Sequence, residues 1–244
     1  MKVKIKKNVL VTGASSGIGY ATVKKLAKRG FNVFALARRK EKLNKLSKIT
    51  NCKILCMDLL DTKKIESLKN IKIDILVNNA GLGRGFDKIF KTKSSDIDVT
   101  IDTNVKALLH LLRVILPGMV KRKKGHIINI GSIAGLYPLS SSVYGGSKGA
   151  LHLINQNLRI ELLGTGIKAT EINPGRVATE FFDVAFDNEK DKVKMKTGFK
   201  LLTSNDIADT ILYIIETPDH VNISMVEITP TEQVPGGVYI KRNS

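Results

Sequence analysis

The chain has no tryptophan, two cysteines and six prolines, and only 22 Asp and Glu stand against 40 Lys and Arg, a formal charge of +18 over 244 residues. Cys52 and Cys56 are four apart, are not a Cys-x-x-Cys pair and have no histidine near them, so no metal centre is legible. Even spacing along a strand puts both on one face, too far apart for a disulfide, and they read as small buried apolar residues. No apolar run approaches the roughly 20 residues a membrane helix needs. The basic segment 1–7 leads into a strand pattern and not into the apolar stretch of a signal peptide, so the chain reads as cytoplasmic. Linkers, repeats and low-complexity tracts are missing too, which argues for one domain over residues 1–244.

The charge excess raises nucleic-acid binding as a possibility. Its sharpest cluster, Lys121-Arg122-Lys123-Lys124, falls at the end of a helical pattern, where cations complement the helix dipole. The other lysines are spread over every helix, and aromatic residues for stacking on bases are scarce, Tyr 5 and Phe 8. Nucleic acid is set aside as the primary partner. A lysine-rich surface would attract an anionic cofactor and substrate instead.

What the chain does have begins with Tyr144 and Lys148, four apart on a helical pattern and so on one face. A phenol ordinarily titrates near pH 10, and an ammonium beside it favours the phenolate. The pair is a candidate proton donor and acceptor. At the other end of the sequence, the apolar run 8–11 leads into Thr12-Gly13-Ala14-Ser15-Ser16-Gly17-Ile18-Gly19, followed by helical spacing to Arg29 and a stop at Gly30. Strand, glycine turn and helix make a dinucleotide site: Gly13 allows the turn, while Gly17 and Gly19 let backbone approach phosphate and helix pack on strand. A second strand pattern, 31–37, ends in Arg38-Arg39-Lys40 with no acid. An acid there suits the ribose hydroxyl of NAD, whereas guanidiniums suit the 2′-phosphate of NADP. Alternation of apolar strand runs with helical patterns throughout indicates an α/β fold with a parallel sheet.

The ordered set of residues 12–19, Asn78-Asn79-Ala80-Gly81, Asn104, Ser132, Tyr144-x-x-x-Lys148 and Asn173-Pro174-Gly175 resembles the short-chain dehydrogenase/reductase family over nearly the whole chain. The resemblance implies a single Rossmann-type domain, a doubly wound parallel sheet with helices on both faces. It also implies roles. Tyr144 is the general acid and base, Lys148 lowers its pKa and binds the nicotinamide ribose, Ser132 polarises the substrate carbonyl, and Asn104 holds a relay water. Gly13, Ser15, Ser16, Gly17, Ile18 and Gly19 take the pyrophosphate end. Arg38, Arg39, Asp58, Leu59, Asn78, Ala80 and Gly81 take the adenosine end. Pro174, Gly175, Val177 and Thr179 join Tyr144 and Lys148 at the nicotinamide. Ser132 and Tyr144 are twelve positions apart, one fewer than the family's usual spacing, and the intervening loop absorbs the difference. Tyr137 lacks a lysine four residues on and reads as a wall residue at most.

Residues 180–200 read as a substrate flap rich in lysine, with Arg176 the candidate cation for an anionic substrate. The tail, helix start at 202–209, Thr217-Pro218-Asp219-His220-Val221-Asn222-Ile223, a strand and Pro230-Thr231-Glu232-Gln233, resembles the branch of NADP-dependent 3-hydroxy acid dehydrogenases, also called serine or allo-threonine dehydrogenases. That branch implies a short 3-hydroxy acid or sulfonate analogue as substrate, a homotetramer packed through the long helices after Asp96 and Ser142, and a C-terminal arm over residues 229–244. The alternatives are a carbonyl reductase for an oxoacyl, sugar or steroid-like ketone, and a non-catalytic NADP-sensing or nucleic-acid-binding protein on the same fold.

Overall fold

Strand and helix alternate from the start. β1 (Asn8–Thr12) is followed by α1 (Gly17–Lys28), then β2 (Asn32–Ala37), α2 (Lys40–Thr50), β3 (Lys53–Cys56), α3 (Thr62–Glu66) and β4 (Ile75–Asn78). The second half runs α4 (Ser94–Ile101), α5 (Ala107–Arg122), β5 (Gly125–Ile130), α6 (Ile133–Leu136), α7 (Ser142–Glu161) and β6 (Ile167–Pro174). It ends with β7 (Val177–Ala178), α8 (Phe181–Ala185), α9 (Glu189–Lys196), β8 (Leu202–Thr203), α10 (Ser204–Glu216) and β9 (Met225–Ile228). The computed structural model describes residues 7–233, so residues 234–244 of the arm lie outside the described residues.

Seven strands form one parallel sheet in the order β3-β2-β1-β4-β5-β6-β9. The order reverses between β1 and β4, and such a switch point opens a crevice at the carboxyl ends of the strands. Both faces are covered. Val9, Val11, Val33, Ala35 and Val77 point to one face, against Val23 and Leu26 of α1, Leu43 and Leu46 of α2 and Ile207, Ile211 and Ile214 of α10. Leu10, Phe34, Leu36, Leu76 and Ile127 point to the other, against Leu111 and Ile115 of α5 and Leu151 and Leu158 of α7. The period of two is why a strand buried on both faces reads as a continuous apolar run.

Three local features bear on the sequence reading. A single π turn over Asp102–Lys106 joins α4 to α5 and carries Asn104, an irregularity often found at functional sites. The basic cluster ends α5: Lys123 adopts φ 50° as its left-handed cap, Arg122 donates to the Ile73 carbonyl at 2.6 Å and Lys124 pairs with Asp219 at 2.6 Å. Those cations finish a helix and bond to groups of the chain itself. The reading of both cysteines as buried holds for Cys52 alone. Cys52 precedes β3 and is buried, while Cys56 ends that strand, the outermost of the sheet among the described residues, and is exposed.

Candidate active site

A cleft of about 520 Å³ lies over the switch point. Its floor at one end is the turn between β1 and α1. Gly13 and Gly17 take φ of +65° and +54°, the left-handed region that favours glycine. A Cβ on Gly13 would meet Asn79 Nδ2 at 2.8 Å, and one on Gly17 would come 3.2 Å from Thr179 Cγ2. Gly19 lies beneath this surface, where a Cβ would strike the Gly13 carbonyl oxygen at 2.5 Å. α1 can therefore approach the turn closely and aim its free N–H groups at the cleft.

Ser15, Ser16, Arg38 and Arg39 line the same end. Arg39 donates to Ser15 Oγ at 3.0 Å and to Ser16 Oγ at 2.6 Å, and pairs with Glu180 at 2.8 Å. Glu180 also accepts from Lys42 at 2.7 Å. Those two cations, Lys42 first, draw the Glu180 carboxyl down to about 2. Arg38 reaches Asp58 at 3.6 Å, and Asp58 and Leu59 border the cleft beside it. The pattern Arg38-Arg39 points here from the sequence; Lys42 and Glu180 do not show there, because their pairing is set by the fold.

At the other end Ser132, Tyr144 and Lys148 meet. Ser132 follows β5, receives α6 as its N-cap and is fixed by its N–H donating to Asn173 Oδ1 at 2.9 Å. α7 presents Tyr144 and Lys148 on one face, both buried, and its own cap Ser141 donates to the Gly85 carbonyl at 2.8 Å. Ser132 lies within hydrogen-bonding reach of the Tyr144 hydroxyl, so the short spacing between them is absorbed. Lys148 Nζ donates to the Ile130 carbonyl at 2.9 Å. The simple expectation that Lys148 lowers Tyr144 is overtaken by burial. Tyr144 is pushed up to about 12, with Ser132 pulling the other way, and Lys148 is pulled down to about 8. Desolvation disfavours each charged form, phenolate and ammonium alike.

Ala80, Gly81, Pro174, Gly175, Val177 and Thr179 also border the cleft, as does Arg176, whose guanidinium stacks 5.5 Å from the Phe199 ring. Two residues expected at the cofactor or the chemistry sit back from the surface. Asn78 is the last residue of β4 and points inward, donating to Asn129 Oδ1 at 2.8 Å. Its neighbour Asn79 takes the cleft side, donating to the Thr12 carbonyl at 2.9 Å. Asn104 locks the loop after Gly81 through two bonds with Leu82, of 2.9 and 2.8 Å; a Cβ on Gly81 would lie 3.2 Å from Asn104 Oδ1 and 3.6 Å from Lys148 Nζ. Tyr137 is no wall residue: it turns away to Glu227 at 2.8 Å. The wall over Tyr144 is aromatic instead, with Phe86 and Phe181 centroids 5.0 and 5.4 Å from its ring. Gln233 closes the back, accepting from the Arg176 N–H at 2.9 Å.

The family profile described as short chain dehydrogenase matches residues 7–190. The chain belongs to that family. Among short-chain dehydrogenases of similar sequence, the NADP-dependent 3-hydroxy acid dehydrogenase YdfG of Salmonella typhi is 38% identical over 246 residues, 96% of this chain and 99% of its own length. YdfG of Escherichia coli K12 is 38% identical over 245 residues, again 96% and 99%. A solved closed form of serine dehydrogenase complexed with NADP+ superposes with a TM-score of 0.90 at 38% identity, covering 97% of this chain and 100% of that one. The fold is thus shared with that serine dehydrogenase over nearly the whole chain. Among the described residues no helix is long and apolar enough to cross a membrane, and no group of three or more His, Cys, Asp or Glu could hold a metal ion.

Proposed function

We propose that this short-chain dehydrogenase is an NADP(H)-dependent oxidoreductase that interconverts an alcohol and a carbonyl on short 3-hydroxy acids or their sulfonate analogues. The observation that carries the proposal is one cleft with Arg38, Arg39, Ser15 and Ser16 at one end and Ser132, Tyr144 and Lys148 at the other. The left-handed glycine turn and the two guanidiniums fit a phosphorylated dinucleotide, the former by close backbone approach and the latter by bidentate pairing with phosphate. Ala80 and Gly81 would flank the adenosine side beside Asp58 and Leu59, and Pro174, Gly175, Val177 and Thr179 the nicotinamide side. Bound there, the nicotinamide would supply or accept the hydride.

Ser132 donates toward the carbonyl oxygen and fixes it beside Tyr144. In reduction Tyr144 gives its proton to that oxygen; in oxidation it takes the proton from the alcohol. Lys148 stabilises the phenolate that remains, and Asn104, holding the loop that borders Lys148, would seat the water through which the proton is replaced. Arg176 would face the substrate's carboxylate or sulfonate. The aromatic wall of Phe86 and Phe181 favours a second reading, a reductase of a more apolar ketone, in which Arg176 only shapes the cleft. The enzyme would work as a cytoplasmic homotetramer, residues 180–200 would close over the substrate as a flap, and the C-terminal arm would reach a neighbouring subunit.

The test is turnover at the reduced-nicotinamide absorbance band, with NADP+ or NAD+ and L-serine, L-allo-threonine or 3-hydroxypropionate, and in reverse with malonic semialdehyde or sulfoacetaldehyde. Turnover with the phosphorylated cofactor supports the reading. Tight NADPH binding with silence on all five, and reduction of larger ketones, would move it to the second. Tyr144→Phe should lower kcat by about 10²–10⁴ while NADPH still binds, the range for a lost general acid. Unchanged turnover in that variant would remove Tyr144 from the chemistry.

A further inference from the structure

α7 carries Tyr144, Lys148, His152 and Gln156 at every fourth position, so one helix face runs from the cleft floor to the surface. Opposite it β6 presents Glu171, which is 1% exposed. His152 Nδ1 and Glu171 Oε2 are 2.7 Å apart, and Gln156 Nε2 meets His152 Nε2 at 2.7 Å. The other oxygen, Oε1, has no hydrogen-bond partner among the described residues. It lies against Gly131, where an added Cβ would come 2.6 Å from it. Gly131 directly follows Ile130, whose carbonyl anchors Lys148 Nζ. A buried carboxylate with an idle oxygen therefore stands behind the anchor of the lysine, with no side chain at 131 between them.

Burying a carboxylate with half its acceptor capacity unused is unfavourable, and an amide or apolar residue would pack there with less penalty. We propose that Glu171, held by His152, is the buried counter-charge of Lys148, a positioning residue that acts on the reaction through that lysine. The inference rests on the assignment of Lys148 to the proton-handling pair. On α7 Tyr144 and His152 lie one turn to either side of Lys148; its Nζ is bonded to the Ile130 carbonyl and lies with Asn104 Oδ1 beside Gly81, and Glu171 on β6 is the carboxylate behind that carbonyl, against Gly131. Glu171 in turn faces His152 on α7, Asn129 on β5 and Met225 on β9. Its charge opposes the burial that pulls Lys148 down. Removing the charge lets the ammonium lose its proton at lower pH.

The experiment is the pH profile of kcat/KM for carbonyl reduction with NADPH. Glu171→Gln should move the alkaline limb down by about one pH unit, so activity falls about tenfold more above the limb than below it. His152→Leu, on the half-exposed side of α7, removes the donor that holds Glu171 in place, and the limb should move the same way. His152→Gln keeps a donor and should bring the limb back toward wild type. If Glu171→Gln does not fold, the His152 pair decides alone. Lys148→Met separates the two readings. Should it retain wild-type rates, the role of Lys148 falls and this inference with it. Should it be inactive while the Glu171 and His152 profiles run parallel to wild type at every pH, Glu171 is a packing residue and the inference alone is overturned.

Discussion

His126 shows how far a single buried group can be argued from its partners. It lies on β5, 4% exposed, with Nε2 2.9 Å from Thr170 Oγ1. The Thr170 hydroxyl already donates to the Ile223 carbonyl at 2.7 Å, so its oxygen is left to accept and the imidazole proton belongs on Nε2. Burial first, then Lys168 and Lys7, pulls His126 down to about 3. The folded value lies below the unfolded one, so the unfolded chain binds the proton first as pH falls. The contribution to stability is whole above about pH 6.5 and is lost between there and about 3, by up to roughly 1.4 kcal/mol per pH unit. His126→Gln keeps a donor without the titration. Urea unfolding at about pH 7 and pH 5 should show wild type losing on the order of 1–2 kcal/mol relative to the variant. Parallel losses in the two proteins would mean that His126 is protonated in the fold. Legibility also has a residue-scale limit. Asn78 and Asn79 are adjacent, but Asn78 ends β4 and bonds inward to Asn129, while Asn79 follows the strand in a turn and is tied to Thr12 on the cleft side; the motif names both, and only where the strand ends separates them.

Among elements, the segment between β7 and β8 is the one whose placement bears on cofactor choice. The two strands pair at Val177 with Leu202 and Ala178 with Thr203, so α8 and α9 leave and return at one place. Glu180, just before α8, lies on Arg39 and Lys42, and Asp187 pairs with Arg84 at 2.6 Å. Exposed pairs of this kind are screened by solvent and salt and add too little to lock the segment. Arg39 is, however, with Arg38 one of the two guanidiniums that a 2′-phosphate would meet beside Ser15 and Ser16, and Lys42 shares its Glu180 partner. Arg39→Ala should weaken NADPH about 10–100-fold, as expected for a charge-assisted pair worth 1.5–3 kcal/mol. Lys42→Ala should weaken it about three- to tenfold, with NADH unaffected in both. Glu180→Gln should tighten NADPH by removing a competing anion. Titration of nicotinamide fluorescence measures all three, and equal loss of NADH and NADPH in Lys42→Ala would take that lysine out of cofactor discrimination. Glycine turn, Arg38-Arg39 and Tyr144-x-x-x-Lys148 were legible because their members are close in sequence and one local conformation brings them together. Lys42 with Glu180, and His152 with Glu171, were not: each pair joins two elements whose contact exists only once the sheet order is set.

At the scale of the whole molecule, a charge of +18 opposes self-association, since like-charged chains repel at every approach. The homotetramer we propose would therefore have to be held by apolar surface, and α5 and α7 offer it. Leu109 is 46%, Leu153 56% and Ile160 73% exposed, on helices whose other faces, with Leu111, Leu151 and Leu158, fill the core. Only the packed sheet shows which of these leucines are left outside. Two consequences follow from charge and apolar area acting in opposite directions. Replacing Leu153 and Ile160 together by Glu should yield a smaller species in sedimentation velocity with an unchanged circular dichroism spectrum, because neither side chain supports the fold. Raising salt from about 0.02 to 0.3 M should tighten wild-type association, because the Debye length shrinks from roughly 20 Å to under 10 Å and the repulsion is screened while the apolar contact is not. An assembly held by ion pairs would respond in the opposite direction, and a wild-type chain that sediments as a monomer at every salt concentration would leave those leucines without a partner copy.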